Sequence, residues 1–231
     1  MNIAVRGFTL LEVTIALVVL GLITSVASTN YLGLWRKVGG KTVVDANLVS
    51  LSGSVITFAK SHHRLPCPDT KGNGYENLDN AGVCVAGTQV GRLPYISLGL
   101  SLPSDDDRAY YGVYRNATTD PAADLTVSVT QNNLTAAATA AVSPSFVYVT
   151  GDGTTTNGVE SCGGYVASNP AYVILAAGED RDGVGGSLDG INIGLASGGR
   201  CFSAASRGID GSFDDRSLAL SFYGLLAELN K

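Results

Sequence analysis

The sequence predicts an α+β fold: a long N-terminal helix whose outer half packs on a mainly antiparallel β-sheet head, with loops clipped by disulfides. Three observations predict it. Residues 8–27 form an apolar run that holds one charge, Glu12. Val44, Leu48, Leu51, Val55 and Phe58 then recur at helical spacing, which draws a single stripe along one face. Beyond Pro103, short alternating or β-rich segments stand between polar turns.

The chain of 231 residues is long enough for one domain with a real core. Its 29 glycines against 15 % charged residues indicate many turns. A formal charge of -5 with no basic cluster excludes nucleic acid as a main partner, because phosphate binding needs concentrated positive charge.

The segment FTLLEVTIALVVLGLITSVA, residues 8–27, is the strongest signal. At ~1.5 Å per residue it reaches roughly 30 Å, the hydrocarbon thickness of a bilayer. A secretory signal peptide with Arg6 as its basic region is the plainest alternative. The apolar run exceeds the usual ~7–15 residues, however, and no small-x-small pattern closes it cleanly. Glu12 also has to be accounted for, since a carboxylate at mid-membrane costs up to ~3 kcal/mol.

In RGFTLLEVTIALVVLGLI the order of residues resembles the processing and assembly signature of type IV prepilins and type II secretion pseudopilins. A short basic leader, residues 1–7, ends in Gly7, and the aromatic Phe8 opens the mature chain with Glu12 as its fifth residue. The resemblance implies a type IV pilin-like fold. It also implies that a prepilin peptidase cuts after Gly7 and methylates the new amine of Phe8, and that Glu12 meets such an amine in an assembled filament. Other pilin or pseudopilin subunits and an inner-membrane assembly platform are the partners it implies. The location implied is a single pass through a bacterial inner membrane, with the head in the periplasm, and then a pilus or pseudopilus. Bulk pilins commonly carry a proline late in the apolar segment. The first proline here is Pro66, which favours a minor pilin or pseudopilin.

Charge does not orient the span, because Arg6 precedes it while Arg36, Lys37 and Lys41 follow. The cysteines orient it instead. Cys67, Cys84, Cys162 and Cys201 all lie beyond the span, and an even number in an exported domain favours disulfides. The predicted helix covers residues 8–64, with 8–27 spanning the membrane and about 41–60 packed on the head. Gly39 and Gly40 weaken it by about 1 kcal/mol each and mark a bend. Pro66 ends it.

The head, residues 65–231, opens with RLPCPDTKGNGYEN and GRLPYISLGL, which resemble segments of a group of large bacterial prepilins. A Cys67–Cys84 bond would close a loop worth roughly 3 kcal/mol on the chain-entropy model. Pairing by order leaves Cys162 with Cys201, although four cysteines allow three connectivities. Asp69, Asn73, Glu76 and the carbonyl of Tyr75 offer hard oxygens of the kind Ca²⁺ takes, but Lys71 interrupts them. GEDRDGVGGSLDG offers a second candidate calcium set in Asp180, Asp182 and Asp189. Asp beside Gly also makes ordinary turns, which is the competing reading.

Farther on, LTVSV at 125–129 and INIGL at 191–195 alternate as strands do, and FVYV and AYVILAA are continuous β-rich runs. QNNLTAAATAAVS reads as a short helix or a surface loop, and SLALSFYGLLAEL shifts from alternation to helical spacing. Neighbouring His62 and His63 make a poor metal pair on a helix, and no hydrolase elbow, zinc-protease helix or P-loop occurs. Asp105–Asp107 reads as a solvated loop. A structural subunit is therefore the expectation, and a membrane-anchored periplasmic enzyme or binding protein is the alternative.

Overall fold

The computed structural model describes residues 44–115, 123–140, 148–150, 166–184 and 186–231, together with Thr14, Ile15, Leu17 and Val19. The chain divides into two compact units, Met1–Val44 and Asp45–Lys231. In the second, helix α1 (described over 44–62) forms for the reason the stripe suggests. Leu48, Leu51, Val55, Phe58 and Ala59 are at most 6 % exposed, whereas Val49, Gly53 and Lys60 face solvent. The hydroxyls of Ser54, Thr57 and Ser61 donate to carbonyls four residues back. His63 terminates the helix by turning left-handed at φ 55°. Just before it, the His62 ring stacks on Phe58 at 4.0 Å.

A four-stranded antiparallel sheet runs in the order β1 (Val90–Arg92), β2 (Tyr110–Val113), β5 (Tyr172–Ala176), β7 (Arg216–Leu220). Tyr111 pairs with Ile174, and Ile174 with Leu218. The central strands β2 and β5 are covered on both faces, and for that reason AYVILAA reads as a continuous apolar run. Tyr172 meets α1 through Ser52, whose Oγ lies 2.7 Å from its hydroxyl. Burial pushes the Tyr172 phenol up to about 12, against the Ser52 bond. On the opposite face Val173 and Leu175 share a core with Tyr110, Val149, Leu195 and Phe202.

Beyond that core lies a three-stranded sheet with β3 (Tyr148–Thr150) at its centre. β3 pairs antiparallel with β4 (Val166–Ser168) and parallel with β6 (Cys201–Phe202). Helix α2 (Gln131–Ala140) resolves the helix-or-loop alternative as helix, and it packs on α3 (Phe222–Leu229). The change of period in SLALSFYGLLAEL is a real boundary: β7 ends, Ser221 caps α3 by accepting from Gly224 N–H, and Phe222 meets Tyr114 edge-on at 5.0 Å.

Two expected strands are absent. Residues 125–127 form a turn, because buried Asp124 accepts the N–H and hydroxyl of Thr126 while its carbonyl takes Val127 N–H. Residues 191–195 lie in a 3-10 helix, Gly190–Ser197, which buries Ile191, Asn192 and Leu195. The Asp124 side chain at the first place and 3-10 backbone bonds at the second satisfy N–H groups locally and displace the sheet ladder that alternation suggests.

Among the described residues no helix is long and apolar enough to cross a membrane. The predicted span at 8–27 lies outside them apart from the helical positions Thr14, Ile15, Leu17 and Val19. Gly39 and Gly40, the expected bend, also lie outside.

Candidate functional site

The processing and assembly residues Gly7, Phe8 and Glu12 lie outside the described residues. Nearby, Ile15, Leu17 and Val19 are 55 %, 64 % and 48 % exposed, an apolar surface in helical conformation.

Cys67 and Cys84 form a disulfide across 17 positions, with Cα atoms 5.6 Å apart. Both are buried. The loop they close is ordered by carboxylates. Glu76 receives Arg64 through two bonds of 2.6 and 3.0 Å and takes the N–H of Cys67 at 2.7 Å. Asp69 collects the N–H groups of Lys71, Gly72 and Gly74. Acids offered as calcium ligands here are thus drawn to a guanidinium and to backbone donors. Cys201 is buried and disulfide-bonded. Cys162, its expected partner, lies outside the described residues.

The second acidic loop does converge. Asp180, Asp182 and Asp189 each bring a carboxylate oxygen within 4.8 Å of the others, and Asp189 does the same with Asp214 and Asp215. Asp189 is fully buried and accepts the N–H groups of Arg181, Asp182 and Asp214. Asp182 takes Val184 and Gly190, and Asp180 takes Gly183. Asp215 receives Gly178, Asp189 and the amide of Asn192. Burial raises its pKa to about 6, reinforced by the charge of Asp189 and opposed by those three donors. Arg181 pairs with Asp214 at 2.5 Å. Each carboxylate retains lone pairs, so the cluster can hold a hard divalent cation or serve purely to organise the loop. The sequence reading missed Asp214 and Asp215, whose only signal is a bare Asp-Asp before the alternating β7.

Other sequence candidates stay apart. Asp105–Asp107 is an exposed 3-10 turn in which Asp105 pairs with Arg108. His63 points to solvent, while His62 lines an open cavity of about 280 Å³ with Ser54, Phe58, Ser61, Ser97 and Leu98. His62 Nδ1 lies 2.8 Å from Ser61 Oγ, and no carboxylate lines that cavity.

No curated protein and no solved structure matches the chain. One family model does, the prokaryotic N-terminal methylation motif, over residues 4–28. This chain accordingly carries the cleavage and methylation signal of prepilins and pseudopilins, and in that respect it is similar to type IV pilins.

Proposed function

We propose that the chain is a minor pilin or pseudopilin, a structural subunit of a type IV pilus or a type II secretion pseudopilus. The observation that carries this reading is the methylation motif at residues 4–28. A head with a buried disulfide suits export to an oxidising compartment. In this reading a prepilin peptidase cuts between Gly7 and Phe8 and methylates Phe8. Glu12 then pairs with the amine of a neighbouring Phe8, which gives a carboxylate in an apolar helix the partner it needs. The inner-membrane platform receives the subunit, with its head in the periplasm.

Co-expression with a prepilin peptidase should yield a product beginning at methylated Phe8, and Gly7→Val should abolish the cut. Mass spectrometry of the mature N-terminus decides. Residues 1–7 retained on assembled subunits would sink the proposal.

Within the same reading we propose Ca²⁺ as a structural ion at Asp180, Asp182 and Asp189. Added Ca²⁺ should then raise the melting temperature of the head, and a chelator should lower it. At a hundred times the dissociation constant the gain is about 2.7 kcal/mol. A melting curve indifferent to both leaves these acids as loop organisers.

A further inference from the structure

Gly74 has to be glycine. Its φ is +83°, and a Cβ there would lie 2.8 Å from Ile96 Cγ1 and 2.9 Å from Leu102 Cδ1. Packing therefore places an unhindered amide directly after Asn73. In such a pair the glycine nitrogen can attack the side-chain carbonyl carbon of the asparagine. A ring C–N bond forms, the bond from Cγ to Nδ2 breaks, and ammonia leaves with the displaced amide proton. Water then opens the succinimide to aspartate or isoaspartate, with no redox change.

The loop holds both reacting groups away from this path. Gly74 N–H donates to Asp69 Oδ2 at 2.6 Å, and Asp69 is only 1 % exposed. Asn73 Oδ1 accepts Tyr75 N–H at 3.1 Å. The Gly74 carbonyl takes Ile96 N–H at 2.8 Å, which holds the glycine from its other side. Ring closure has to free the Gly74 nitrogen from Asp69 and turn the Asn73 side chain toward it. The Asn73 side chain itself is exposed, so water for the second step is at hand.

We propose that Asn73 is a deamidation site kept shut by Asp69 and by the disulfide-closed loop, and that it reacts only when the loop opens. An isoaspartate would lengthen the backbone and add a charge beside Asp69. One opening event would thus leave a permanent mark.

The test is peptide mapping of the full chain in detergent after incubation at mildly alkaline pH, beside the same chain reduced, alkylated and unfolded in urea. The sequence's second Asn-Gly pair, Asn157–Gly158, falls in a separate peptide. Conversion at Asn73 should be at least about tenfold slower in the native chain, equivalent to about 1.4 kcal/mol of local opening. Asp69→Asn, similar in size but a weaker acceptor, should move the native rate toward the unfolded one. Should that variant lose its fold, amide exchange in the unaltered chain gives the second readout, with Gly74 N–H slowed by the same factor. Equal rates in native and unfolded chains, no conversion when unfolded, or Gly74 exchanging as in a free peptide would each overturn the proposal.

Discussion

Replacing Arg115 with methionine should destabilise the head by about 3–5 kcal/mol, a large part of the ~5–15 kcal/mol that holds a domain together. The Arg115 and Asp124 side chains are 2 % and 3 % exposed and pair at 3.2 Å. The guanidinium also donates to the carbonyls of Val85 at 2.7 Å, Thr88 at 3.0 Å and Cys84 at 3.2 Å. Methionine keeps an unbranched apolar stem and removes every donor. It strands a buried carboxylate and the carbonyls of Cys84 and Thr88, while that of Val85 keeps the Thr88 hydroxyl, and the penalty is their desolvation more than the lost attraction. Adding Asp124→Asn should recover part of the loss, because the orphan charge disappears while an acceptor remains for Thr126. Urea denaturation of the single and double variants measures this. Equal midpoints would refute the charge argument.

Cys67→Ser combined with Cys84→Ser should lower stability by about 3 kcal/mol, the chain-entropy value for a loop of this length. The span of 17 positions is short, but most residues within it are exposed, so little buried surface could replace the bond. Leu78 is the residue that pairs back to Cys84 there. Limited proteolysis should then cut between residues 70 and 83 in the variant and not in the oxidised chain. This loss should not add to that of Arg115→Met, since both changes release the same segment at Cys84. A double-mutant sum equal to its parts would show that the guanidinium and the disulfide act independently.

The sequence is most legible where one residue's neighbours in the chain are also its neighbours in space. The stripe from Leu48 to Phe58 works because a helix repeats its buried face at fixed spacing. The Cys67–Cys84 pairing is visible because the two lie close along the chain. Alternation misleads at Thr126, where the Asp124 side chain supplies a backbone bond that a strand would need from a partner, and at Asn192, whose N–H closes a 3-10 turn on Asp189. Arg115 and Asp124 leave no pattern, since what makes them a buried pair is the arrival of the Cys84–Thr88 segment. The acidic cluster is half legible for the same reason. Asp180, Asp182 and Asp189 share a loop, but Asp214 reaches Asp189 from 25 positions away and Asp215 reaches Gly178 from 37. Sequence proximity cannot announce such a meeting.

The sheet order has a kinetic consequence. β5 is inserted between β2 and β7, and Arg216 on β7 also bonds Asp45, 171 positions earlier, at 3.1 and 3.3 Å. A chain that emerges N-terminus first can form α1, the Cys67–Cys84 loop and the β1–β2 hairpin early. It cannot close the sheet until nearly all of it is available. Non-local pairing of this kind slows folding and prolongs the time during which strand edges stand unpaired. Until residues 216–220 arrive, β5, buried at four of its five positions, keeps one edge open, and Asp45 waits without its cation. A chain that stops short of residue 216 is therefore left with a sticky apolar edge, the kind of surface that recruits holdase chaperones or proteases before it can join anything else.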